Sequence, residues 1–126
     1  MTVSYNIVER PNPQDPTAPK KFYPSIVASK RVTLRDIVKR VAEMSTVSSA
    51  DTMAVVEAFL TVIPSELSKG NIVALGEFGS FWLRIHSEGA ETEEDVSRFN
   101  ITNVLPRFTP GKEFKQLMRL LNFRGN

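Results

Sequence analysis

The chain has no cysteine, one histidine (His86) and one tryptophan (Trp82), and no apolar run approaches the roughly 20 residues that a membrane-spanning helix needs. Without cysteine there can be no disulfide, no thiol nucleophile and no thiolate metal site. A lone histidine in an alternating segment leaves no Ser-His-Asp arrangement and no metal-ligand spacing beyond chance. An enzyme, a cofactor and a small-molecule substrate are therefore not expected. The start, MTVSYNIVERPNP, lacks a basic segment followed by an apolar one, so no secretory signal is read and the expected compartment is the cytoplasm. The Asn-Ile-Thr sequon at Asn100 is read as chance on the same ground. Five acids at Glu88, Glu91, Glu93, Glu94 and Asp95 lack the alternating ligand pattern of a calcium loop, so they are taken as a solvated acidic segment.

What is present fits one ordinary domain. At 126 residues, 41% hydrophobic and 24% charged, the chain can bury roughly two thirds of the surface that its unfolded form exposes. The net charge of +2 conceals a strong segregation. Residues 1–40 carry eight Lys/Arg against three acids, 41–105 carry three against ten, and 106–126 carry five against one. A fold that brings the two basic ends together makes a patch suited to a polyanion; otherwise the same residues are a solvated surface.

Residues 3–10, VSYNIVER, alternate weakly and end at RPNPQDPTAPKKFYP, whose five prolines exclude a regular helix or a central strand and suggest an extended arm or linker. FYPSIVASKRV has the β-branched and aromatic character of an edge strand. From Thr33 the period becomes helical. Leu34, Ile37, Val38, Val41 and Met44 share one face, and Thr33 with Asp36 has capping-box spacing. Ser48 and Asp51 repeat that start signal before a longer helix carrying Val55, Val56, Phe59, Leu60, Ile63 and Leu67, which Gly70 can end and which Pro64 should kink or divide. The charges argue against a DNA-reading helix-turn-helix. No Lys or Arg lies between 41 and 68, and the second helix would carry Asp51, Glu57 and Glu66 toward phosphates. The pair is an αα-hairpin that packs.

Residues 71–75 and 78–86 read as strands around the turn GEFG, with Phe81, Leu83 and Ile85 on one side and Trp82, Arg84 and His86 on the other. A strand-like ITNVLPRF follows the acidic segment, within which TEEDVSRF suggests a helical turn capped by Thr92. The last helix, PGKEFKQLMRLLNF, is expected to take Thr109 as its cap and Pro110 in its first turn, with Phe114, Leu117, Met118 and Leu121 as its apolar face.

This order of elements, with VSSADTMAVVEAFLTVIPSELSKGNIVAL running into FGSF and with PRFTPGKEFK further on, resembles the HU/IHF family of bacterial nucleoid proteins over about residues 33–121. The resemblance implies an α+β fold: an αα-hairpin base, an antiparallel β-saddle with a protruding arm and a short C-terminal helix, in an intertwined homodimer that holds duplex DNA with arms in the minor groove. Residues 33–126 would be the HU-like domain, and residues 1–32 an extension with strands and a Pro-rich linker packed on it. By the resemblance, Lys112 and Lys115 match basic positions of the family's third helix, and Arg84 an arginine at the root of the arm. His86 stands where many relatives have another arginine. Phe78, Phe81 and Phe108 match core and dimer-interface aromatics, joined by Phe59. Gly79 and its neighbours would make the turn into the saddle, with exposed amides facing a phosphate. Arg107 and Arg119 are added from charge, as are Lys20, Lys21, Lys30 and Arg31, which would replace charge lost from the arms.

The arm departs from the family. The interval between Phe81 and Phe108 lacks the Arg-Asn-Pro tip and carries the five acids, each of which costs on the order of 1 kcal/mol when set about 4 Å from a phosphate in water. The expected function is a non-enzymatic, architectural DNA-binding protein of the bacterial nucleoid that contacts phosphates with weak sequence specificity. The alternative is a dimeric HU-fold module that has lost DNA binding and meets a basic partner through its acidic arm.

Overall fold

A computed structural model describes residues 1–126 as two three-stranded sheets and three helices. Helix α1, Leu34–Glu43, begins where Thr33 accepts from the Asp36 amide while Asp36 accepts from the Thr33 amide and hydroxyl, both at 3.0 Å, so the reciprocal cap forms. Helix α2, Ser49–Ser68, is capped by the Ser48 hydroxyl, which accepts from the Asp51 amide. Pro64 does not divide α2, which runs unbroken through it. Helix α2 stops at Gly70, whose φ of +82° only glycine adopts readily. The Gly70 amide donates to the Leu67 carbonyl and the Asn71 amide to that of Glu66, the paired bonds of a Schellman ending. Together α1 and α2 form the expected hairpin.

Strands β3 (Val73–Ala74), β4 (Gly79–Ser87) and β5 (Ile101–Pro110) make one antiparallel sheet in the order β3-β4-β5. The first strand is shorter than the expected 71–75, because residues Gly76–Phe78 close the GEFG turn as a 3-10 turn. The β4–β5 ladder runs from Gly79 opposite Pro110 to Ser87 opposite Ile101, with an irregularity after His86. Two 3-10 turns, Glu93–Asp95 and Arg98–Asn100, fold the segment between them. Thr92 starts the first turn but its hydroxyl caps nothing; Ser97 caps the second, in a reciprocal pair with Asn100.

Helix α3 spans Lys112–Arg119, later and shorter than the pattern PGKEFKQLMRLLNF suggests. Gly111 is its N-cap, and Thr109 and Pro110 complete β5 instead. Thr109 is not the cap because it is still in β5, two residues before Gly111, and its hydroxyl accepts from the Trp82 indole N–H at 2.7 Å. After α3 the chain turns at Leu120 and Leu121 into strand β6, Asn122–Gly125.

Strand β6 joins the other end of the chain. Strands β1 (Thr2–Arg10) and β2 (Lys21–Ile26) form an antiparallel hairpin, and β6 lies parallel to β1 on its far side, in the order β2-β1-β6. The Pro-rich stretch is thus no linker; it is the hairpin's connection. The side chain of Asn12 accepts from the Gln14 amide, and that of Asp15 from the amide and hydroxyl of Thr17. Pro24 is tolerated because β2 is an edge strand, as FYPSIVASKRV suggests.

Little is buried within one copy. Val38 and Leu67, at 3% and 7% exposure, are the only buried apolar side chains, whereas Val55, Phe59 and Phe78 are 65%, 49% and 51% exposed. No helix is long and apolar enough to cross a membrane, and no acidic or histidine cluster is arranged to hold a metal ion.

Candidate nucleic-acid interface

Four aromatic rings tie helix α3 to the β4–β5 sheet. Phe108 lies 4.9 Å from Phe81 and 5.3 Å from Phe78, and Phe114 of α3 meets Phe78 and Phe108 edge-on at 5.5 and 5.7 Å between centroids. Phe78 and Phe81, two of the expected core or interface aromatics, thus each meet the third, Phe108, with Phe114 as a fourth ring. Phe59 stands apart on α2, half exposed.

Two glycines permit this approach. Gly79 is buried with φ +147°, and a Cβ there would lie 2.5 Å from the Thr109 carbonyl oxygen and 2.7 Å from the Phe108 ring. Gly111, which the sequence pattern does not single out, has ordinary backbone angles, but a Cβ on it would collide with the Glu77 carbonyl. Its amide donates to the Phe78 carbonyl at 2.8 Å. The GEFG turn and the start of α3 are thus one unit, which orients the helix.

That orientation sorts the side chains of α3. Phe114, Leu117 and Met118 repeat at helical spacing on one side, Leu121 of the expected face lying beyond the helix end, and Lys112, Lys115, Gln116 and Arg119 repeat on the other, where they line an open hollow of about 360 Å³. Three cations converge there without an acidic residue in the lining.

A second cationic surface comes from strand register. Residues paired across a ladder point to the same face. Trp82 is paired with Arg107, Arg84 with Leu105 and His86 with Asn103, so Arg84 and Arg107 share a face as diagonal neighbours, with Trp82 and His86 beside them. Phe81, Leu83 and Ile85, paired with Phe108, Pro106 and Val104, form the opposite, apolar face.

Lys20 and Lys21 join Arg10 and Tyr23 in a separate hollow of about 420 Å³ among Pro11, Pro13 and Pro19 of the β1–β2 connection. Lys30 and Arg31 lie on the link before α1, and the positive charge of Lys30 helps to lower the Asp36 pKa below its ordinary 3.8, after the larger effect of the Thr33 hydrogen bonds. The single salt bridge in the chain is Lys69 to Glu66, at 3.1 Å. Every candidate cation is exposed, and none lies within salt-bridge distance of a carboxylate. The five acids of the arm are equally unpaired, and beside them the Arg98 guanidinium lies 5.1 Å over the ring of the exposed Phe99.

The chain matches the family described as "HU domain fused to wHTH, Ig, or Glycine-rich motif" over residues 1–124. "DNA-binding protein HU" of Thermus thermophilus is 29% identical over 96 residues, which is 75% of this chain and 99% of that protein. A putative bacterial DNA-binding protein from Bacteroides vulgatus superposes with a TM-score of 0.65 at 14% identity, covering 98% of this chain and 47% of its own, so this chain spans about half the length of that relative. The Anabaena HU–DNA cocrystal structure superposes at 0.54 with 27% identity, covering 68% of this chain and 95% of its own. An HU variant from Thermotoga maritima gives 0.52 at 23% identity, over 68% and 97%. The 14% and 23% likenesses establish a shared fold.

Proposed function

The chain belongs to the HU-HIG family, whose HU domains are non-enzymatic and DNA-binding, and we propose from that premise that it binds duplex DNA through phosphate contacts with weak sequence specificity, as an architectural protein of the bacterial nucleoid. The observation that carries this reading is the convergence of Lys112, Lys115 and Arg119 on one hollow with no carboxylate among them. Long cations held on a helix face and left without partners suit the regularly spaced charges of a nucleic-acid backbone. Arg84 and Arg107 add a second row on the sheet, and Lys20, Lys21, Lys30 and Arg31 supply charge that the acidic arm does not. Gly79 contributes by setting the turn that carries the sheet and α3.

No residue among these forms a dedicated base-reading pair such as an amide on adenine, so shape and charge dominate recognition. The working unit is a homodimer. The exposed Val55, Phe59, Leu60 and Val62 of α2 form a surface that one copy leaves open and a second copy of the same helix can cover. The arm, with Glu88, Glu91, Glu93, Glu94 and Asp95 unpaired, stays out of the minor groove. Residues 1–32 form an extension attached to the HU-like domain of 33–126.

Fluorescence anisotropy of a labelled random duplex of about 30 base pairs, titrated from low to physiological salt, tests the reading. Binding should weaken with salt at a slope near −0.9 per phosphate neutralised, and a Lys112→Ala, Lys115→Ala variant should flatten that slope by about 2 to 4 for a dimer. Folded, dimeric protein that binds no duplex even at low salt would transfer the fold to a protein-interaction role, in which the acidic arm meets a basic partner.

A further inference from the structure

The terminal sheet β2-β1-β6 has two chemically different faces. Pairing of Tyr5 with Ile26, Ile7 with Pro24 and Val3 with Phe123 gives one apolar face, around a hollow of about 580 Å³. On the other face Arg10 stands directly opposite Lys21, and Arg124 stands opposite Ser4. The positions between them, Asn6 with Ser25 and Val8 with Tyr23, bring no acid. Glu9 belongs to the apolar face, and the Asp15 carboxylate in the hairpin connection is already engaged by the amide and hydroxyl of Thr17.

Two like charges opposed across a ladder repel, and natural strand pairs avoid the arrangement unless something offsets it. Here nothing in the chain does, since none of the three cations has a carboxylate within salt-bridge reach. An anion held between Arg10 and Lys21 would turn the repulsion into a shared attraction. The spacing is suited to one polyanion. From Ser4, beside Arg124, to Arg10 is six strand residues, or about 20 Å at the rise of a β-strand. Twenty ångströms is about six base pairs of duplex, close to half a helical turn.

We propose that the Arg10, Lys21 and Arg124 face of the terminal sheet is a second DNA-backbone contact, distinct from the α3 hollow, which lengthens the stretch of duplex held by each subunit. The proposal rests on the DNA-binding reading given above. It adds a place and a length: contact at the two ends of the face, with Tyr23 between them, on a scaffold that forms only when both chain ends are paired.

The test compares the full chain with an Arg10→Gln, Arg124→Gln variant, Lys21 being kept, on random duplexes from about 15 to 40 base pairs. Both side chains are exposed and neither forms a salt bridge, and circular dichroism checks that the variant folds. Wild-type protein should gain affinity with duplex length beyond what short duplexes give. The variant should match it on the short duplexes and lose that gain, with a salt slope on long ones reduced by about 2 per subunit. Arg124→Gln alone should reduce the slope by about 1 per subunit, which keeps the test sound if the double variant is unstable. Wild-type binding with identical length and salt dependence in both variants overturns this proposal and leaves the DNA-binding reading intact. Absence of wild-type binding to any duplex overturns both. A loss confined to phosphatidylserine vesicles would assign the face to lipid headgroups and overturn it as well.

Discussion

The indole N–H of Trp82 donates to the hydroxyl of Thr109 across the β4–β5 ladder at 2.7 Å. The bond joins diagonal positions, since Trp82 is paired with Arg107 and Thr109 with Ser80. It closes the root of the arm on the face that carries Arg84. Thr109→Val keeps the shape and removes the acceptor, so it should cost about 1 kcal/mol and lower the melting temperature by about 3–5 °C, while Thr109→Ser should stay close to wild type. Thermal unfolding followed through Trp82, the sole tryptophan, measures both.

Gly79→Ala should destabilise by about 2–4 kcal/mol, because the new methyl meets the Thr109 carbonyl and the Phe108 ring at a φ that favours glycine. Gly111→Ala should cost about 1–3 kcal/mol through collision with Glu77 and should also weaken DNA binding, since it displaces α3. Gly89, with nothing within 4 Å of an added Cβ, is the control and should tolerate alanine within about 0.5 kcal/mol. Chemical denaturation of the three variants separates these outcomes.

Helix α1 should show a defined acid sensitivity. Hydrogen bonds from the Thr33 amide, then the Thr33 hydroxyl, hold the Asp36 pKa below its ordinary 3.8. A depressed folded value means that the ionised carboxylate stabilises the fold above about pH 4 and that this contribution disappears as pH falls through the folded value. The stability difference between wild type and Asp36→Asn should therefore be greatest at neutral pH and should shrink below pH 4. Urea unfolding at a series of pH values checks the sign; a difference that grows toward low pH would contradict it.

The open face of α2 predicts self-association. Phe59 is 49% exposed and only Val38 and Leu67 are buried among apolar side chains, so association should add to a small core. The melting temperature should rise with protein concentration, as expected for folding coupled to association. Analytical ultracentrifugation should find a dimer for the wild-type chain and a monomer for Phe59→Asp, with stability lowered together.

Local chemistry in the sequence foretells much of this fold. Thr33 with Asp36, Ser48 with Asp51 and Gly70 mark three helix ends because each supplies its capping group within four residues. Alternation from Phe81 to Ile85 likewise places the apolar face of β4. The errors arise where a distant partner decides. Thr109 has the residue type of a cap, but pairing with Ser80 in the β4–β5 ladder keeps it in the strand, and Trp82, 27 positions away, donates to its hydroxyl. Leu121 continues the helical pattern of Phe114, Leu117 and Met118, but the helix stops at Arg119 and residues 122–125 pair with β1 from the other end of the chain. The register of β1 with β2 likewise creates the opposition of Arg10 and Lys21, which no spacing within either segment reveals. For the α3 cations, helical period alone puts Lys112, Lys115 and Arg119 on one side, whereas the glycine approach that orients them depends on Glu77.

The parallel pairing of β6 with β1 has a consequence for how the molecule comes together and apart. Asn126 donates to Asn6 across 120 residues of sequence, the Asn122 amide reaches Met1 and the Asn126 amide reaches Tyr5. Closing a loop of that length costs on the order of 4 kcal/mol of chain entropy, so β6 docks only after the intervening helices and strands have shortened the path. The two extremities then act as a clasp. Amide protons of β6 and their neighbours on β1 should exchange as one unit, and loosening either end of the chain releases the other.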